Sequence, residues 1–162
     1  GIRIGELLAL NVADVDFEKR TISIMKSYQR MGGRDVITEP KTPKSKRVIA
    51  IPQFLAVDLQ DYVNSMYGVQ GEDRLFPITK YYLEHEMQRG IKESGVKRIR
   101  IHDLRHSHAS LLVEMGFSPL EIANRLGHEK IETTLNTYSH LYPDKQEQLA
   151  DRLDKEYREG LS

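Results

Sequence analysis

Residues 101–110, IHDLRHSHAS, hold three histidines, an arginine and an aspartate. Such a cluster suits a metal site, an acid–base pair, an anion site, or an ordinary helix start with a polar face. His102 and His106 stand four apart and can share one helix face, as two metal ligands would. No HExxH pattern accompanies them, and the nearest downstream carboxylate, Glu114, falls toward the far end of the same helix. No metal is expected here. His108 falls on the apolar periodicity and reads as a core histidine. His102 and Arg105 flank the helix N-terminus, where free N–H groups and the helix dipole favour an anion. A guanidinium fork placed there suits a phosphate or a carboxylate. A surface arginine beside a capping histidine would fill the same positions without function. His106 finds no role.

A second constellation lies in LGHEKIETTLNTYSH, residues 126–140. His128 follows the helix-ending Gly127, as a loop histidine or a partner for the helix end. By periodicity Tyr138 shares an apolar stripe with Ile131, Leu135 and Tyr142. SPLEIANRLGH followed by EKIETTLNTY also reads as a helix-turn-helix, the mark of a non-catalytic DNA-binding regulator. That alternative leaves Arg3, His102 and Arg105 without a use.

The elements that must position these residues follow from pattern. Ile4, Leu7, Leu8 and Leu10 mark a short opening helix. DVDFEKRTISI predicts a hairpin, with strands over 15–17 and from 21 to about 27. Residues 29–44, with Gly32-Gly33, Pro40 and Pro43, read as a long, flexible, basic connection, and 46–51 as a third strand. Helices are expected over 53–67, from a Thr79 cap to Ser94-Gly95, from an Asp103 cap to about Met115, over 118–126 and over 130–139. On the fourth of these five, Ser118-Pro119-Leu120-Glu121 forms a capping box. On the third, Leu104, His108, Leu111, Leu112 and Met115 are placed on the buried stripe. A charged amphipathic tail, with Leu149 and Leu153 in register, closes the chain. The fold class is α+β, mainly α, with a small three-stranded antiparallel sheet near the N-terminus.

Bulk properties set bounds. The 162 residues suit one domain, and 39% hydrophobic residues can build one core. No apolar run could span a bilayer, and no signal-like segment opens the chain. Without cysteine there is neither a disulfide framework nor Cys-ligated zinc, which fits a reducing cytosol. Lysine plus arginine equals aspartate plus glutamate at 24 each, so distribution matters more than the total. Basic zones occupy 26–47 and 97–105, and the tail from Asp144 is richer in acid. Gly1-Ile2-Arg3 runs straight into a helical pattern, as a C-terminal fragment of a longer protein would.

The motifs GIRIGELLAL, PKTPKSKRVIAIP, HDLRHSHASLL and LGHEKIETTLNTYSH, in this order, resemble the catalytic domain of the tyrosine recombinases, the lambda-type integrase family. The resemblance covers nearly the whole chain, and its closest flavour is an integrase of a phage or integrative mobile element. It implies a catalytic domain (residues 1–162) lacking an N-terminal core-binding domain and a first helix, and site-specific DNA recombination through a 3′-phosphotyrosine. Arg3 would be the first catalytic arginine, supported by Glu6. Lys41 would be the mobile catalytic lysine, with Lys44 and Lys46 as competitors. His102 and Arg105 would form the HxxR pair, His128 would take the position held by histidine or tryptophan, and Tyr138 would be the nucleophile. Two arginines can clamp the non-bridging oxygens of a phosphodiester whose charge grows in the transition state. His102 would take the phenolic proton or position the phosphate, and Lys41 would protonate the departing 5′ oxygen. No cofactor is implied. Lys44, Lys46 and Arg100 would follow the DNA backbone. The implied partners are double-stranded DNA, further copies in a homo-tetramer linked through the tail, and an excisionase or accessory DNA-bending protein. No membrane is involved, and the place of action is the cytoplasm, at the bacterial nucleoid. A type IB topoisomerase would share the chemistry.

Overall fold

The structure, a computed structural model, describes residues 1–40, 42–142 and 146–160. The mainly helical α+β architecture expected from the pattern is present. A short helix α1 (Ile4–Leu8) leads into strands β1 (Val15–Asp16) and β2 (Thr21–Ile24), which pair antiparallel. Strand β5 (Arg47–Ala50) pairs antiparallel with the far edge of β2. This β1-β2-β5 sheet is the predicted three-stranded one. Alternation works as elementary geometry requires: Ile22 and Ile24 point into the core, while Thr21 and Ser23 face outward.

The expected flexible connection is a correction. It contains a separate hairpin of β3 (Ser27–Met31) and β4 (Arg34–Thr38). Gly32 and Gly33 both have positive φ, 56° and 78°, the two-residue turn whose twist suits paired strands. Tyr28 pins the hairpin to the body. Its buried ring packs with Leu8 and Ala9, its hydroxyl donates to Asp35 at 2.7 Å, and the Arg74 guanidinium lies 4.4 Å over its face.

Helices α2 (Gln53–Ser65) and α3 (Lys80–Ser94) follow, α3 starting at a Thr79 cap and stopping at left-handed Gly95 as predicted. The first core packs Leu10, Val15, Ile22, Ile24 and Ile51 of the sheet region against Ala56 of α2 and Leu75. A second core joins α4 (Ile101–Glu114), α5 (Pro119–Leu126) and α6 (Ile131–Tyr138) through Ala109, Val113, Ile122, Leu126 and Tyr138. Helix α7 (Gln146–Gly160) closes the chain, with every residue from Ala150 to Glu159 exposed.

Three local expectations are corrected. The cap of α4 is Arg100; Asp103 sits three residues on, where its carboxylate accepts the Arg100 backbone N–H at 2.8 Å. On α4, Leu104, Leu111 and Met115 are exposed, and the inward stripe is Arg105, Ala109 and Val113. On α6, Leu135 is exposed and Thr134 is fully buried in its place. His108 is half-buried and accepts a hydrogen bond from Arg125 at 3.2 Å. No helix among the described residues is long and apolar enough to cross a membrane.

Candidate active site

The last carbonyls of any helix lack intrahelical partners and carry its negative dipole end. At the C-terminus of α5, three arginines distant in sequence supply that need. Arg47 donates from Nε to the Arg125 carbonyl (2.9 Å), Arg105 from Nη2 to Leu126 (2.7 Å) and Arg3 from Nη2 to Gly127 (3.2 Å). Gly127 makes the convergence possible, because its left-handed φ of 67° turns the chain while its missing Cβ leaves room for the Arg47 guanidinium.

Glu6 holds two of these arginines from the other side. The Arg47 fork reaches its two carboxylate oxygens at 3.1 and 2.9 Å. Arg3 adds a side-chain bond at 2.8 Å and its backbone N–H at 2.9 Å. Burial alone would raise the Glu6 carboxyl, but the hydrogen bonds from Arg47 and Arg3 hold it below the ordinary glutamate range. The network Arg3–Glu6–Arg47 therefore ties α1, β5 and the end of α5 into one rigid block.

Arg105 is 5% exposed and also donates from Nη1 to the Gly1 carbonyl at 2.6 Å. Burial, with Arg3 and Arg47 nearby, lowers its pKa to about 10, so it remains cationic at neutral pH. On α4, the rings of His102, one turn before Arg105, and His106, immediately after it, meet edge-on with centroids 4.9 Å apart. His102 is exposed; burial of part of its ring, then His106 and Arg105, lower its pKa. His106 Nδ1 lies 2.8 Å from the Tyr138 hydroxyl, which comes from the last residue of α6. Tyr138 is 5% exposed, and burial raises its pKa against the opposing field of Arg105.

His128 follows Gly127 and places Nδ1 2.8 Å from the hydroxyl of Thr134. Burial, then Arg105, Arg3 and Arg47, lower its pKa to about 4, leaving a neutral ring at pH 7. A neutral ring can donate from Nε2 only if Nδ1 accepts, and the Thr134 hydroxyl can supply that donor.

Arg3, Glu6, Thr42, Ser45 and His128 line one cleft of about 500 Å³. Lys44 and Lys46 line an adjoining groove with Arg47 and His128. His102 and Arg105 open on a smaller recess beside Ile4. The Tyr138 hydroxyl lines none of these openings and is held against His106. Lys41 lies outside the described residues, although its neighbours Pro40 and Thr42 both line the cleft. The predicted backbone-tracking side chains are partly engaged: Lys46 with Glu39 at 2.8 Å, and Arg100 with Asp103 at 2.8 Å. These are solvent-facing pairs, which contribute little to stability. Among the described residues no three histidine, aspartate or glutamate side chains come close enough to hold a metal.

Sequence reasoning missed three participants. Arg47 carried a usable signal, since strand alternation places it on the same face as Ile49. Thr134 shares the face of Tyr138 by its four-residue spacing. His106 had the same spacing from His102, but nothing in the sequence placed Tyr138 opposite it.

A family model described as the phage integrase family matches residues 1–145. The ICEBs1 integrase of Bacillus subtilis is 34% identical, over 95% of this chain and 45% of its own length. The integrase of Staphylococcus phage L54a is 32% identical, over 96% of this chain and 49% of its own. The chain thus spans about half the length of the curated relatives it matches. Among solved structures, the Tn1549 transposon integrase in complex with circular intermediate DNA aligns with a TM-score of 0.78 at 25% identity, covering 94% of this chain and 55% of that one. XerA recombinase, 22% identical with a TM-score of 0.67 over 96% of this chain and 52% of its own, shares the fold. Neither a helix-turn-helix regulator nor a type IB topoisomerase is favoured by these similarities.

Proposed function

The chain belongs to the phage integrase family, and on that premise we propose that it breaks and rejoins DNA strands at specific sites through a 3′-phosphotyrosine intermediate. Tyr138 is the nucleophile. Arg3 and Arg105 clamp the non-bridging oxygens of the scissile phosphate, and His128 donates a further hydrogen bond from Nε2. His102, exposed one turn before Arg105's neighbour His106, positions the phosphate. Lys41 protonates the departing 5′ oxygen, with Lys44 and Lys46 as its competitors. The diester bond energy is kept in the phosphotyrosine, so the reaction requires no external energy source.

The observation that carries this reading is the convergence at the end of α5. Two guanidiniums, the His128 imidazole and the Arg47–Glu6 brace meet there, and Arg105 reaches it from α4, the helix whose His106 holds the Tyr138 hydroxyl. A helix-turn-helix regulator would need the outer face of α6 for DNA, and that face offers Glu132, Thr133, Asn136 and Thr137 without a base. Lys44, Lys46 and Arg100 follow the duplex backbone, giving salt-dependent contacts without sequence preference. The acting form is a homo-tetramer on paired DNA sites, helped by an excisionase or accessory DNA-bending protein, in the cytoplasm at the nucleoid.

The test uses a nicked duplex carrying the recombination site that flanks the gene. A covalent protein–DNA adduct is expected, lost in Tyr138→Phe and kept in Tyr142→Phe. Attachment at Tyr142, or no adduct at all, would refute the assignment.

A further inference from the structure

Two histidines one helical turn apart on α4 could serve the nucleophile, and their surroundings differ. His102 is exposed, and its ring meets that of His106 edge-on. Among the described residues, the hydrogen-bond partner of the Tyr138 hydroxyl is His106, at 2.8 Å from Nδ1. The two rings are tilted by 55° with centroids 5.9 Å apart. A phenol that is 5% exposed has little direct access to bulk water as a proton sink. His106 is only half-buried, so a proton held on it can exchange with solvent.

We propose that His106, rather than His102, accepts the phenolic proton as Tyr138 attacks, and returns it when the strand is rejoined. The inference rests on Tyr138 being the nucleophile. In cleavage the Oη–H bond breaks and an Nδ1–H bond forms on His106. The freed electron pair of Oη makes the new bond to phosphorus. The bond from phosphorus to the 5′ oxygen breaks, and that oxygen takes a proton from a lysine ammonium of the 41–46 segment. In rejoining, the 5′ hydroxyl gives its proton back to the lysine amine and attacks phosphorus. The phosphotyrosine bond then breaks, and the His106 imidazolium returns the proton to Oη.

The geometry fixes the required tautomer. Nδ1 accepts from the phenol only when the ring carries its hydrogen on Nε2. The charged and titratable groups around His106 are His102 and Asp103 on its own helix, Tyr138 on α6, and His128 after α5. Arg105, which favours phenolate electrostatically, stands next to it in sequence and acts on the same oxygen.

A prop and a proton acceptor are separable by one substitution. His106→Asn puts a carboxamide oxygen close to the position of Nδ1; it can accept the phenolic hydrogen bond but cannot take the proton. Adduct formation is followed in single turnover on the nicked duplex. A matched duplex carries a bridging 5′ sulfur, whose thiolate leaves without a proton donor. H106N is expected to slow adduct formation at neutral pH by about 100-fold on both duplexes, the scale of one lost general base. Its DNA affinity stays close to wild type, and its rate climbs as pH approaches ionisation of the phenol. H102N is slowed through the phosphate but retains the wild-type pH dependence. A rate for H106N within threefold of wild type across pH overturns the proposal, as does a defect that the sulfur duplex repairs. If H106N fails to fold, His106→Ala with added imidazole carries the test: recovery in proportion to free imidazole base is expected, and no recovery overturns the proposal. An adduct that survives Tyr138→Phe is a different failure, since it removes the nucleophile itself.

Discussion

Replacing Glu6 by glutamine tests whether the brace beneath the site stabilises the fold through charge. Glu6 and Arg47 leave only 3% and 7% of their side chains exposed, whereas Arg3 is 40% exposed and can turn to water. The variant therefore strands mainly Arg47. Glutamine keeps the shape but sets an NH₂ group against one of the Arg47 or Arg3 donors. Breaking a buried pair by removing one charge typically costs about 3–5 kcal/mol. For a chain of this size each kcal/mol lowers the unfolding midpoint by roughly 2–4 °C, so a drop of about 6–20 °C is expected by calorimetry.

The pH dependence has a defined sign. The folded carboxyl is depressed below the ordinary glutamate range, so its contribution is fully present above that range and fades as pH falls through the folded value. The gap between wild type and E6Q should therefore be constant near neutrality and narrow in acid. Arg47→Met, alone and combined with E6Q, completes a double-mutant cycle in urea unfolding. A coupling of at least 1.5 kcal/mol is expected; roughly 0.5 kcal/mol or less, the range of independent sites, would refute the brace.

Two further substitutions probe the same end of α5. Thr134→Val should leave DNA affinity intact and slow adduct formation by roughly 2- to 10-fold, the scale of one hydrogen bond, while Thr134→Ser restores it; an unchanged Val variant would dissociate Thr134 from the His128 tautomer. Gly127→Ala places a Cβ 2.7 Å from the Arg47 guanidinium on a left-handed residue, so urea unfolding should register a loss of at least about 1 kcal/mol. A neutral result there would mean that Arg47 can leave α5 freely.

The element pattern was legible where local chemistry decides it. The Thr79 cap, the left-handed Gly95 stop, the Ser118–Glu121 capping box and the alternation of β2 all follow from nearest-neighbour rules. The β3–β4 hairpin was missed because polar, charged positions on both strands hid their alternation, although Gly32-Gly33 is a recognised two-residue turn. The mis-phased stripes of α4 and α6 have a more informative cause. Periodicity assigns the inward face to the most apolar residues, and here the inward face carries Arg105 on α4 and Thr134 on α6. The displaced Leu104, Leu111, Met115 and Leu135 are exposed instead. A helix that must carry a cation or a hydroxyl into a site gives up part of its hydrophobic face, and hydropathy then points about one residue away from the true one.

That substitution also explains why the motifs work only together. A buried guanidinium is costly unless its donors are met, and backbone carbonyls that already need donors meet them without adding opposing charge. The short helix α5 presents three such carbonyls in succession, Arg125, Leu126 and Gly127, and each takes an arginine from a different part of the chain. Arg3, Arg47 and Arg105 lie 124, 78 and 21 residues from the carbonyls they reach, so no local pattern could register the link. The mutual repulsion of three cations is offset by one buried carboxylate, Glu6, and by the negative end of the helix dipole. With those requirements met by backbone carbonyls, Arg105 keeps its charge without a carboxylate paired directly to it among the described residues.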